Sequence, residues 1–293
     1  MDVKKNARLR ERMEKPGLIV APGCHDGVGA RIIQKLGFEV CYMGGNGTMS
    51  SYLGKPDIGL GTATEMITRA RYLAECLDIP LICDADTGYG NLNNVWRTVR
   101  DYEAAGVSGI HIEDQTMPKK CGAMEGVSVV PAEEICDKIA IAVKARRDPN
   151  FMIIARTDCF RAMGTDEVIR RCNMMADAGA DMVMPENLIE REDMEKVTAG
   201  IQNCPILADV CEFTTHQIYS DEELLAMGYK LVIHPLASVL FEARALTQLY
   251  SYYKEHGTTL GLAEQGLFMP RQEYQDLVGY SWEMGIRELL KKD

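Results

Sequence analysis

The stretch Ile82-Cys83-Asp84-Ala85-Asp86-Thr87-Gly88-Tyr89-Gly90 is an apolar strand pattern that ends in two carboxylates and a glycine-rich turn. Asp84 and Asp86 are two positions apart, so a strand running through both would point them to the same side. Two carboxylates in one space repel unless a proton or a cation separates them. A hard divalent cation with oxygen ligands, keeping positions for a substrate, is the simplest resolution. This predicts a metal-assisted enzyme. A second reactive segment runs from Glu113 to Ala123, where Cys121 follows Lys119-Lys120 and precedes Gly122. Nearby positive charge favours a thiolate, and glycine gives a lid loop its backbone freedom. Taken alone, the segment reads as a surface cysteine in a basic loop. Its departure from the strand that carries Glu113 favours the functional reading.

Such groups need a scaffold that gathers them. Four segments share one design, in which a helical pattern closes on a glycine and an apolar strand follows: Gly37, Gly106, Gly179 and Gly228. Glycine suits the left-handed cap that ends a helix. Eight strands result, at residues 18–22, 40–44, 81–86, 109–113, 152–158, 182–186, 206–210 and 231–235. Helical patterns fill the gaps, as at 65–77, 95–105, 131–146 and 166–178. Strands alternating with helices give parallel βαβ units, and eight of them give an α/β protein of the (β/α)8 TIM-barrel kind. A doubly wound open sheet is the competitor, but no strand leads into the G-x-G-x-x-G of a dinucleotide fold. Charged residues stand at four consecutive strand ends: Asp84 and Asp86, His111 and Glu113, Arg156 and Asp158, and Glu186. Barrel sites are built at those ends. One domain over 1–293 is expected, with an N-terminal helix and a C-terminal helical extension over about 238–293.

Bulk properties narrow the partners. The 293 residues hold 32 basic and 43 acidic side chains, a net charge of −11. That balance argues against nucleic acid or a membrane surface as partner, but leaves an anionic small molecule open where arginines and a metal reverse the local field. Ten cysteines are scattered without C-x-x-C spacing, which predicts a reducing cytoplasm. The first residues lack a signal-peptide core, and no run nears the roughly 18 apolar residues of a membrane helix.

Six motifs in order, Leu53-Gly54-Lys55-Pro56-Asp57, Asp84 to Gly90, Gly109 to Gln115, Lys119-Lys120-Cys121-Gly122, Ala155-Arg156-Thr157-Asp158 and Pro185-Glu186, resemble the isocitrate lyase/phosphoenolpyruvate mutase superfamily. The likeness runs from about Gly17 to the C-terminal helices and is greatest to its short 2-methylisocitrate lyase-like and 2,3-dimethylmalate lyase-like members. It implies a Mg2+ enzyme, with Mn2+ as a substitute, in which Asp84 binds the metal directly and Asp57, Asp86 and Glu113 hold it through water. Gly44 and Gly45 would receive the α-carboxylate of a small carboxylate substrate, Arg156 would clamp the same end, and Glu186 and Gly122 would line the pocket. Tyr42 matches an active-site tyrosine, Cys121 the catalytic cysteine of the lyase branch, and Arg271 a substrate-contacting arginine. The expected activity is retro-aldol carbon–carbon cleavage of a 2-hydroxy di- or tricarboxylate to a 2-oxo acid such as pyruvate plus a carboxylate. The resemblance also implies a homotetramer in which C-terminal helices pack on, or swap with, a neighbour.

The chain departs from the methylisocitrate lyase pattern at Ala123, where a histidine is usual, at Asp209, where an asparagine is usual, and at Leu240, placed where an arginine is usual. The usual serine of the carboxylate loop is Gly44. These changes predict a substrate with fewer carboxylates, such as a 2-alkyl- or 2,3-dialkylmalate. Oxaloacetate hydrolysis or decarboxylation is the nearest alternative, then phosphonate chemistry, which Cys121 disfavours, then a catalytically silent barrel. His25 and His234 read as satisfied loop histidines as readily as pocket residues.

Overall fold

A computed structural model describes residues 3–213, 218–286 and 290. Its strands are β1 (Ile19–Pro22), β2 (Cys41–Met43), β3 (Leu81–Asp84), β4 (Gly109–Glu113), β5 (Met152–Thr157), β6 (Met182–Pro185), β7 (Leu207–Asp209) and β8 (Leu231–His234). All pairings are parallel. β2 to β6 form one run in sequence order, and β7-β8-β1 form the other. Two bridges close the ring, Gly23 to Tyr42 and Val183 to Ile206. A closed ring excludes the open doubly wound sheet, and the protein is a (β/α)8 barrel.

Alternation along each strand sorts the side chains into two cores. Ile82, Ile154, Met184, Leu207 and Ile233 fill the barrel interior. Cys83, Ile110, Ile153, Val183 and Ala208 face the surrounding helices. The inward set carries on upward into charge: Asp84 follows Ile82, Arg156 follows Ile154, Glu186 follows Met184 and Asp209 follows Leu207. A period of two therefore delivers polar groups to one end of an apolar barrel. Leu9, from the helix Val3–Glu14, packs against the interior set, closing the opposite end.

The four repeated glycines each lie just past a helix, with φ between 86° and 102°. The helix expected at 166–178 begins earlier, at Phe160, and is broken at Gly164 (φ 77°). Ser220 caps the helix Asp221–Ala226 through a reciprocal bond with Glu223. Beyond β8, the helix Ala237–His256 buries no residue fully. The expected C-terminal helical extension continues with Leu260–Glu264, Arg271–Leu277 and Tyr280–Gly285; residues 287–289 lie outside the described residues. No described helix is long and apolar enough to cross a membrane.

Candidate active site

A pocket at the C-terminal end of the barrel is lined by Tyr42, Gly44, Gly45, Asp57, Asp84, Glu113, Cys121, Gly122, Arg156, Glu186 and Asp209. Asp86 lies buried behind Lys119. Arg271 is not brought there: it sits exposed at the start of the helix Arg271–Leu277, which packs on the helix Gly27–Lys35. Nor does Leu240 reach the pocket; Leu236, one turn earlier, does. His25 and His234 are both satisfied outside it, His25 by Ser238 and Glu242, His234 by Glu212 at 2.9 Å.

The Asp84–Asp86 pair is not built by strand alternation. β3 ends at Asp84, and Asp86 stands in the following turn with φ 46°. Its backbone N–H donates to Asp84 Oδ1 at 2.8 Å. Asp84 Oδ2 accepts from the Gly45 N–H at 3.0 Å. Gly45 must be glycine there, because a Cβ would lie 2.8 Å from that same carboxylate oxygen.

Positive charge inside the cluster comes from the loop that carries Cys121. Lys119 Nζ is 2.7 Å from Asp57 Oδ1 and pairs closely with Asp86. Burial alone would lower the Lys119 pKa, but Asp86, Glu113, Asp84 and Asp57 outweigh it and hold the ammonium charged. For Asp84, burial is likewise overruled by His111, Lys119 and Arg156, which keep it at about 2. Asp86 goes the other way, pushed up to about 6 by burial with the charges of Asp84 and Asp57. Burial also pushes Glu113 well above the carboxylate range, and its Oε1 has no hydrogen-bond partner. One ammonium against four carboxylates leaves the cluster short of positive charge. Such an all-oxygen donor set fits a hard divalent cation.

Arg156 is gripped by Asp158 in a two-pronged pair at 2.8 and 2.9 Å. It also lies 3.5 Å from Glu113 Oε2 and 3.7 Å from Glu186 Oε1. Tyr42 Oη and His111 Nε2 are 2.7 Å apart. Burial pushes His111 down to about 4, so the imidazole is neutral at pH 7.

Cys121 corrects an expectation. Lys119 points at carboxylates, Lys120 Nζ turns to the Glu125 and Gly126 carbonyls, and the thiol lies in a largely enclosed site, so burial raises its pKa instead of the loop lowering it. Asn46 Nδ2 donates to Cys121 Sγ at 3.4 Å, and the Cys121 N–H donates to Asp57 O at 2.9 Å. The loop is pinned at its base by Gln115, which exchanges two 2.9 Å bonds with the Lys120 backbone. At its tip, Arg161 Nη1 donates to Ala123 O at 3.2 Å. Gly122 packs so close that a Cβ would stand 2.6 Å from Asp158 Oδ1. Asn46, Arg161, Leu188 and Ile189 are pocket residues that sequence reasoning missed. Only Asn46, adjoining Gly44-Gly45, carried a signal.

A closed (β/α)8 barrel that gathers a carboxylate cluster, a clamped arginine and a buried thiol at its mouth is built as an enzyme. The chain belongs to the phosphoenolpyruvate phosphomutase family, the phosphoenolpyruvate mutase/isocitrate lyase superfamily: that family's model matches residues 9–251. It is 42% identical over 273 residues to the 2,3-dimethylmalate lyase of Eubacterium barkeri, covering 93% of each chain. It is 36% identical to the 2-methylisocitrate lyase of Aeropyrum pernix, covering 93% of this chain and 86% of that one. An oxaloacetate acetylhydrolase solved with 3,3-difluorooxalacetate superposes with a TM-score of 0.91 at 32% identity, covering 99% and 98% of the two chains. A phosphonopyruvate hydrolase solved with oxalate and Mg2+ gives 0.86 at 26% identity, covering 97% and 98%. The expectation of a carbon–carbon lyase stands with the first two relatives.

Proposed function

We propose that this chain is a Mg2+-dependent carbon–carbon lyase that splits a 2-alkyl- or 2,3-dialkylmalate into a 2-oxo acid and a carboxylate. The observation that carries this reading is the Cys121 thiol, kept protonated by burial and aimed by Asn46 beside the carboxylate cluster. Retro-aldol cleavage leaves an enolate that needs a proton, and a positioned acid supplies it.

Asp84, with Asp57, Asp86 and Glu113, would hold the Mg2+, which when bound stabilises negative charge on the substrate's hydroxyl and carboxylate oxygens. The start of the helix Gly45–Leu53 and the Arg156 guanidinium receive the α-carboxylate through N–H groups. Glu113, whose raised pKa makes it the strongest base of the cluster when ionised, takes the hydroxyl proton; a bound divalent cation would favour that ionised form. As the bond to the neighbouring carbon breaks, its electron pair passes into the second carboxylate, and the Cys121 S–H protonates that carbon. Tyr42, tied to neutral His111, walls the site against water. Leu188, Ile189 and Leu236 give the pocket an apolar side, which supports alkyl substituents over a third carboxylate.

Incubation with Mg2+ and each of 2,3-dimethylmalate, 2-methylisocitrate and oxaloacetate, with products identified by NMR, tests the assignment. The dialkylmalate is expected to turn over at least about tenfold faster than the tricarboxylate, one poorly accommodated group being worth about 1–3 kcal/mol. Equal turnover of the two removes the substrate assignment. Acetate and oxalate from oxaloacetate would instead favour the hydrolase reading that the structural likeness to oxaloacetate acetylhydrolase supports.

The chain folding as one unit, with the helices past residue 238 as its extension, and four chains assembling into a tetramer belong to the same proposal. Phe241 is 78% exposed, and Tyr250 and Trp282 are each 64% exposed, on those helices. Apolar surface of that kind marks an interface. Light scattering is expected to give four times the 32.6 kDa chain mass; a monomeric mass at micromolar concentration refutes it. Ten free thiols support a reducing, cytoplasmic setting.

A further inference from the structure

Glu186 follows β6 and Asp209 ends β7, and together they form the far wall of the pocket. The parallel bridge from Val183 to Ile206 sets Glu186 and Asp209, each three positions further on, side by side on neighbouring strand ends. Yet Glu186 Oε2 and Asp209 Oδ1, both shut off from solvent, have no donor among the described residues. A carboxylate is only an acceptor, so two of them buried side by side without a donor lack a proton. We propose that Glu186 and Asp209 act as one acid pair sharing a single proton, and that this proton determines which ligands the far wall admits.

The surroundings explain why the proton is retained. Burial leads in pushing Asp209 up to about 6 and Glu186 well above the carboxylate range. Asp158, just after β5, adds to this for both groups, and Glu212, after β7, for Asp209. Glu212 is itself tied to His234 of β8. Cys211 and Tyr42, whose own pKa values are raised by burial and by these carboxylates, face the pair as neutral groups. The opposing charge is Arg156, but its fork is committed to Asp158, and Glu186 Oε1 lies 3.7 Å away. One guanidinium cannot discharge three buried carboxylates.

With the proton in place the wall carries one negative charge and an internal donor; without it, two charges face the ligand. The pair titrates as a unit. As pH rises and its last proton leaves, carboxylate ligands bind more weakly. An asparagine at 209 would donate at every pH and remove that dependence. The effect on substrate choice rests on the proposed function; the shared proton does not.

The test is infrared difference spectroscopy of metal-free wild-type protein minus Asp209→Asn, and minus Glu186→Gln, followed from acid to alkaline pH. Both differences are expected to show a protonated-carboxyl C=O band of the wild type that disappears as pH rises. Calorimetry with oxalate and Mg2+, in a Cys121→Ser background so that the thiol cannot contribute, reads the consequence. Affinity is expected to fall about tenfold per pH unit once the proton is lost, and to lose that slope in Asp209→Asn. No band near neutral pH, or the same slope with asparagine at 209, overturns the proposal. If the band and the slope appear while dimethylmalate is not cleaved, the pair stands and the lyase reading fails.

Discussion

Replacing Cys121 by serine is expected to lower kcat by about 10²–10⁴, the range typical of a lost general acid, while fold and Mg2+ affinity stay close to wild type. The thiol is not a ligand in the carboxylate cluster, and its side-chain contact is the 3.4 Å bond from Asn46, which a serine hydroxyl can also accept. What serine cannot do is donate as readily, since its proton is far less acidic than that of even a raised thiol. The pH dependence follows from the same fact. A general acid works while protonated, and burial raises the Cys121 pKa. The loss due to Cys121 should therefore lie on the alkaline side, where the thiol ionises, while protonation of the cluster carboxylates, Asp86 at about 6 among them, sets the acid limb. Near-wild-type turnover by the serine variant, with thermal stability and Mg2+ binding measured in parallel, would remove the cysteine from the chemistry.

Arg156 carries the second large effect. Among the described residues it is the one cation placed against Asp158, Glu113 and Glu186 together, and it is buried. Substitution by glutamine leaves these carboxylates without counter-charge, and stripping one partner from a buried pair costs about 3–5 kcal/mol. Urea denaturation should register a loss of that order, with cleavage abolished. Arg156→Lys keeps the charge but not the planar fork that meets Asp158 at two points. It is expected to fold, with KM raised about tenfold or more. A glutamine variant as stable and active as wild type would show that neither fold nor substrate depends on this guanidinium.

Much of the architecture was legible because it is periodic. Apolar runs such as Ile82-Cys83 and Ile153-Ile154 are buried on both faces, as parallel barrel strands require, and glycines at 37, 106, 179 and 228 mark the helix ends. Asp84, Glu113, Arg156 and Glu186 could be gathered from sequence because each sits at a strand end. What failed to show depends on long side chains and loops, which obey no period. Lys119 reaches from the Cys121 loop into the carboxylates, so the charge beside the thiol is spent elsewhere and the expected thiolate is a thiol. Asp86 looked like part of a strand but lies past its end, in the left-handed region. Arg271 and Leu240 were placed by alignment along helices whose position in space no local pattern encodes. The pairing of Asp209 with Glu186 brings together two strand ends 23 positions apart and needed the closed ring to be seen.

Metal-dependent cleavage of an alkylmalate can be measured directly. NMR of 2,3-dimethylmalate incubated with the wild-type protein and Mg2+ should show pyruvate and propanoate appearing in equal amounts, and EDTA should stop the reaction. Intact dimethylmalate under those conditions, or cleavage that EDTA leaves unchanged, would contradict it.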